Sequence, residues 1–392
     1  MMSQAEDIVY LDYAATTPVD PRVAETMAAL LGLGNDFGNP SALNIAGRRS
    51  RAHVSRAAEQ LAELLGTDPG RLTWTSGATE SNNLAIIGAA RFREDRGKHL
   101  ITMRTEHKAV TDVCSALEKQ GFDVSWLVPD DCGVLDIDQL EGAIRADTQL
   151  VSVMHVNNET GVIQDLQSIG ECCRRHDVLL HVDAAQSVGK LPVDLANMPI
   201  DLMSMTAHKL YGPKGIGALY IADRPGCHVQ PLLFGGGQQQ RLRPGTLPVH
   251  QIAGFGEAAE LAGERMAGDY EHLLALRDRL WAGIGDIPGV LRNGDAERSF
   301  PGILNVSIED IEGESLLLAL EPLCVAAGSA CNSQSQEPSS VLRSMGRSDE
   351  LAQSTIRFGL GRPTRDEDVD FAVAQYRRAV AKLRELAPSR VV

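Results

Sequence analysis

Aromatic side chains are scarce, at 4% of 392 residues, and basic residues are outnumbered, 37 Lys and Arg against 52 Asp and Glu, for a formal charge of −15. That balance disfavours nonspecific binding to nucleic acid or anionic membranes, because phosphate groups attract basic faces. No stretch approaches the ~18 consecutive apolar residues a membrane helix needs. The opening segment, residues 1–7, is acidic and has no apolar run behind a basic stretch, so no secretory signal is expected. The seven cysteines (Cys114, Cys132, Cys172, Cys173, Cys227, Cys324 and Cys331) are odd in number and contain no CxxC pair. They fit neither a disulfide framework nor a zinc knuckle. These absences point to a cytoplasmic protein with no direct nucleic-acid or membrane partner.

The remainder is ordinary globular material, 43% apolar and 23% charged. At roughly 150 residues per domain, the length suggests two or three domains. From about residue 72 to 222, short apolar runs alternate with helical periods. Leu72–Thr75, His99–Met103, Val124–Val128, Leu150–Val156, Val178–Val182, Leu202–Met205 and Ile216–Ile221 read as strands. Helices are expected between them, one carrying the i, i+3, i+4, i+7 stripe Val110, Val113, Cys114, Leu117. Strands separated by helices imply crossovers and a mostly parallel, buried sheet. The Gly- and Gln-rich run 235–240 breaks this pattern. A long helix from about His250 to Gly285 then leads into a smaller α+β region.

Several residues have chemistry to offer, each with a bland alternative. Lys209 follows an apolar strand and precedes a Gly/Pro-rich turn; its amine suits a Schiff base with an aldehyde cofactor, or it is a solvated turn lysine. Asp183 ends an apolar strand, where a buried carboxylate needs a cation such as a protonated pyridine nitrogen, or else caps a helix. The Thr75–Asn82 stretch passes through Gly77 into a helix whose open N–H groups suit a phosphate, or is only a cap. His107 stands at a helix start after a strand, where open α/β sheets bind ligands. Cys114, Cys172 and Cys173 lie in helical stripes and read as packing residues; Cys132 and Cys227 read as loop thiols. Cys331 sits in a small, polar loop, 328–340, where a core role is a poor fit and a nucleophilic thiol a better one. Arg357, in a strand, offers a fork for a carboxylate or a strand-end ion pair.

Taken in order, Tyr10–Pro18, Phe37–Ser41, Thr75–Ser81, Thr105–Val110, His155–Glu159, His181–Gln186, His208–Gly217 and Gly328–Cys331 closely resemble the IscS/NifS-type cysteine desulfurases. These are pyridoxal 5′-phosphate (PLP) enzymes of the class V aminotransferase-like group. The resemblance runs from about residue 8 to 386. It implies the PLP-dependent transferase fold type I: an N-terminal segment 1–20 packed with the small domain, a large domain 21–250 with a seven-stranded, mostly parallel sheet, and a small domain 251–392 carrying Cys331.

The resemblance also assigns roles. Lys209 would hold PLP covalently; Ala78, Thr79, Thr206 and His208 would contact its phosphate, and Asp183 its pyridinium nitrogen. Gln186 and Asn158 would bond the ring oxygen or the substrate, and His107 would stack on the ring and move protons. Arg357 would hold the carboxylate of L-cysteine. Thr246 would reach the phosphate of a neighbouring subunit, implying a homodimer. Cys331 would take the sulfur as a persulfide and pass it to an acceptor protein, for iron–sulfur cluster assembly or thio-modification. No metal site is implied beyond a transient iron–sulfur ligand role for Cys331.

Asn332, Gln334, Gln336 and Thr206 depart from the residues usual in relatives, without removing a required group. The chain ends at Val392, short of the extended tail with which IscS-type proteins dock the iron–sulfur scaffold. The alternative expectations are a dedicated sulfur donor for tRNA or DNA thiolation, or a selenocysteine or cystine lyase that needs no protein thiol.

Overall fold

The structure, a computed structural model, describes residues 8–33, 36–327 and 337–386. Its strands in chain order are β1 (Val9–Tyr10), β2 (Leu72–Thr75), β3 (His99–Met103), β4 (Asp123–Leu127), β5 (Thr148–Met154), β6 (Leu179–Asp183), β7 (Leu202–Thr206) and β8 (Gly217–Ile221), then β9 (Val290–Asn293), β10 (Ile303–Ile308), β11 (Leu323–Cys324), β12 (Ala326–Ala327) and β13 (Thr355–Gly359). The principal helices are α1 (Pro21–Ala28), α2 (Ile45–Leu65), α3 (Ala78–Phe92), α4 (Lys108–Glu118), α5 (Ile137–Ala143), α6 (Leu166–Arg175), α7 (Val249–Ile284), α8 (Gly313–Ala319), α9 (Ser340–Ser344), α10 (Asp349–Gln353) and α11 (Asp366–Leu386).

Seven strands form one sheet in the order β2-β8-β7-β6-β5-β3-β4, with β8 alone running against the rest. Successive residues on a strand point to opposite faces, and both faces here are covered. Leu150, Leu179 and Leu202 pack under α3 and α4. Their neighbours Val151, Leu180 and Met203 enter the opposite core, with α2, α6 and the first half of α7. This explains why the strands read as continuous apolar runs. The crossovers leave the carboxyl ends of β2, β3, β5, β6 and β7 at the same end of the sheet.

A second core gathers around the antiparallel sheet β12-β13-β10-β9, with α11 and the second half of α7 (Leu273, Leu276, Leu280, Ile284). The single helix α7 thus supplies apolar side chains to both cores. The N-terminal β1 pairs in parallel with β11, and Leu11 enters the second core.

Boundaries expected from periodicity match closely from residue 72 onward. No helix was expected before it, yet α1 and α2 are there. The buried positions of α2 are Gly47, Ser50, Ala57, Leu61, Ala62 and Leu65. Four of these six are small or polar, so the stripe carries a weak apolar period. Cys114, Cys172 and Cys173 are buried as expected. Cys227 is a correction: it is a core residue, 2% exposed, with its thiol directed to the carbonyl of Asp201 at 3.5 Å, because Arg224 and the following turn fold back over β7.

In the second core the Tyr376 hydroxyl is buried with no hydrogen-bond partner among the described residues, while its ring meets Phe358 edge-on. A buried hydroxyl left unpaired costs about 1–3 kcal/mol. Tyr376→Phe is therefore expected to hold or raise the unfolding free energy in urea; a loss above about 1 kcal/mol would show that the hydroxyl is satisfied.

Candidate active site

Five parallel strands deliver their loops to one end of the large sheet, and the side chains singled out by sequence collect there. β6 ends on Asp183, which is 4% exposed. One carboxylate oxygen accepts the side-chain amide of Asn82 on α3 at 2.7 Å, and the other accepts the Ala185 N–H at 3.0 Å. The loop after β2 turns at Gly77, whose φ of +152° disfavours a side chain. Gly217 lies so close that a Cβ there would sit 2.6 Å from the Gly77 Cα. Helix α3 starts at this turn without a side-chain cap, and its first intrahelical bond runs from Ser81 N–H to Gly77. The N–H groups of Ala78 and Thr79 therefore stay open to an anion.

β7 ends on buried Thr206, and a single 3₁₀ turn carries Ala207, His208 and Lys209 out of the sheet. Lys209 is partly exposed and close enough to His107, His208 and Lys190 to disfavour their protonated forms. His208 meets the Thr16 hydroxyl at 3.1 Å, and burial pushes its imidazole down to about 4. His107 caps α4, its Nδ1 accepting the Ala109 N–H at 3.0 Å. Burial, reinforced by Lys209, lowers its pKa, so the ring is neutral with the proton on Nε2.

The loop after β5 is held by Asn157, which donates to Thr105 and accepts the N–H groups of Glu159 and Thr160. It presents buried Asn158, whose carbonyl accepts Arg357 at 2.8 Å. Arg357, 2% exposed, also binds Asp12 at 2.7 Å, and its Nε has no partner among the described residues. The Gln186 amide donates to the Ala14 carbonyl and accepts from Lys190. Thr246 is exposed, just beyond Arg243, which is paired with Glu80 on α3. Cys331 lies outside the described residues.

Two participants went unassigned on sequence. Asn82 stands one helical turn beyond Thr79, near the start of α3, and is buried. Glu106 precedes His107; one oxygen accepts the Met154 N–H at 2.8 Å and the other is buried without a partner among the described residues. Burial raises its pKa well above the usual carboxylate value and favours the uncharged form.

A fold with one mostly parallel seven-stranded sheet, a lysine just after β7 and a carboxylate ending β6 defines a class, and the chain belongs to the class-V aminotransferase family, whose model matches residues 9–371. The cysteine desulfurase IscS of Cronobacter sakazakii is 54% identical over 381 residues, covering 97% of this chain and 94% of the relative. A solved NifS-like protein superposes with a TM-score of 0.89 at 35% identity, covering 96% of this chain and all of the other. A structure titled SspA in complex with cysteine has a TM-score of 0.80 at 38% identity, covering 90% and 98%. PLP is the cofactor of this chain. The residues present suit it: open N–H groups over a glycine cradle for a phosphate, a buried carboxylate for a pyridinium, and a lysine amine in the turn after β7 at the same end of the sheet.

Hydrogen bonds to a charged group contribute about 1.5–3 kcal/mol. Asn82→Leu, which keeps the volume and removes the donor to Asp183, is expected to lower stability in urea by that amount. An unchanged denaturation midpoint would mean that the Asn82–Asp183 contact carries no weight.

Proposed function

We propose that this end of the sheet is the catalytic centre of a PLP-dependent cysteine desulfurase, which converts L-cysteine to L-alanine and places the sulfur on Cys331. The observation that carries the reading is the gathering of Lys209, Asp183, His107 and Arg357 at one sheet end, in a chain 54% identical to a cysteine desulfurase over 97% of its length.

When bound, PLP supplies an electron sink that stabilises negative charge at the substrate α-carbon. Lys209 holds it covalently, and Ala78, Thr79, Thr206 and His208 hold its phosphate. Asp183 keeps its ring nitrogen protonated; Asn82 supports the carboxylate in its charged form. Gln186 donates to the ring oxygen. Arg357 receives the substrate carboxylate with the donor that its bonds to Asp12 and Asn158 leave spare, and Asn158 is fixed beside it. His107, neutral and with its Nδ1 committed to the Ala109 N–H, handles protons through Nε2. The Cys331 thiolate attacks the substrate sulfur. The Cβ–S bond breaks, its electron pair returns to the carbon skeleton and is protonated, and alanine and a persulfide result. An acceptor protein of iron–sulfur cluster assembly then takes the sulfur, a reading supported by the IscS-named relatives.

The protein acts as a homodimer in this reading. Two segments expose large apolar side chains, Leu31, Leu33, Phe37, Leu43 and Ile45 in one, Leu233 and Phe234 in the other. Exposed Thr246 follows the second and would complete the neighbour's phosphate site. A cytoplasmic setting accords with the six cysteines among the described residues, which are all unpaired. No helix among the described residues is long and apolar enough to cross a membrane.

Borohydride treatment of PLP-saturated protein is expected to fix the cofactor on Lys209, read by peptide mass. Cys331→Ala is expected to abolish alanine and sulfide formation from L-cysteine while leaving that labelling intact. Label elsewhere would overturn the assignment of Lys209, and full desulfuration by the variant would indicate a lyase that needs no protein thiol.

A further inference from the structure

Lys190 has no part in the mechanism above, yet it stands in direct contact with it. Its Nζ donates to Gln186 Oε1 at 2.9 Å and lies 5.5 Å from the centre of the Phe300 ring. Lys209 and Arg357 are its charged neighbours on the site side. On the other side is a cavity of about 30 Å³, which Lys190 lines with Tyr13, Tyr211, Asp269 and Arg362. Burial, then those two cations, bring its ammonium down to about 7. An amine placed there loses hydration and sits beside like charge. Such a position costs stability.

That contact removes an ambiguity. A glutamine amide is nearly symmetric in shape, and rotating it by half a turn exchanges an acceptor for a donor. Gln186 is held between a group that only donates, the Lys190 amine in its charged form, and one that only accepts, the Ala14 carbonyl at 2.7 Å. The oxygen is thereby committed to Lys190 and one N–H to Ala14. What remains for the site is the second N–H.

We propose that Lys190 is a positioning residue that sets the polarity of Gln186, so that this amide meets the cofactor's ring oxygen as a hydrogen-bond donor. The proposal rests on the reading of Gln186 as the partner of that oxygen. A donor at the ring oxygen favours its deprotonated form and weakens its hold on the neighbouring nitrogen's proton, which lowers the pH at which the chromophore loses that proton. With Lys190 replaced, only the Ala14 carbonyl still orients the amide, its oxygen can turn inward, and the midpoint rises.

The test is a pH titration of the visible absorption of the resting, PLP-loaded protein without substrate. Lys190→Met is expected to raise the midpoint by about half a pH unit or more. Gln186→Ala is expected to raise it as well, and adding Lys190→Met to Gln186→Ala to move it little further, because residues acting through one contact are not additive. Lys190→Gln, which keeps an N–H donor, offers the same comparison with a smaller shift should the methionine variant not fold. A wild-type midpoint in the Lys190 variants would overturn the proposal. So would a Lys190→Met shift of full size in the Gln186→Ala background, which would mean that the amine acts on the cofactor by charge alone. Failure of the underlying reading looks different: borohydride would then leave Lys209 of the wild-type protein unlabelled.

Discussion

A carboxylate taken out of water at the end of a central strand is the constraint on which the site depends. Asp183 has the N–H of Ala185 and the amide of Asn82 for partners, and both donors are neutral. A buried charge without a counter-charge costs several kcal/mol, so the arrangement is poised for a cation. Helix α3 answers both ends of that demand. Asn82, on its second turn, supports the carboxylate, while its open first turn presents N–H groups for an anion. With a rise of ~1.5 Å per residue, Thr79 and Asn82 are set about 4.5 Å apart along one rigid axis. The same helix would therefore gauge where a pyridinium and a phosphate of one molecule belong.

Charge is rationed around this axis. His155, His181 and His208 are all pushed down to about 4, burial being the first cause in each case, and His107 is lowered too. His181 spans two hydroxyls, Ser152 and Ser204, on the strands flanking β6, in a buried polar row that ends beside Asp183. Burial raises the Glu106 carboxyl in turn, favouring its uncharged form. The second core takes part as well: β13 carries Arg357 across to Asn158 of the large sheet's loop, so a guanidinium on one core meets a loop of the other.

The parallel sheet was legible from residue 72 onward because strands buried on both faces leave unbroken apolar runs. The long helix α7 was legible because its length alone marks it. Helix α2 was not, since its inward face is largely Gly, Ser and Ala. Among site residues, Lys209, Asp183 and His107 stood out by following strands. Asn82, Glu106 and Lys190 did not, because their importance lies in what they touch: a carboxylate 101 residues away, the N–H of Met154, and the oxygen of Gln186. Cys227 misled for a related reason, since its local sequence is loop-like and its burial comes from β7 beneath it.

The central claim is that Asp183 holds a protonated ring nitrogen. Nitrogen-15 NMR of the protein loaded with ring-labelled PLP reads that proton directly. A pyridinium shift that persists through pH 8 in the wild type and disappears in Asp183→Asn is the predicted result. An unprotonated nitrogen in the wild type would contradict the account.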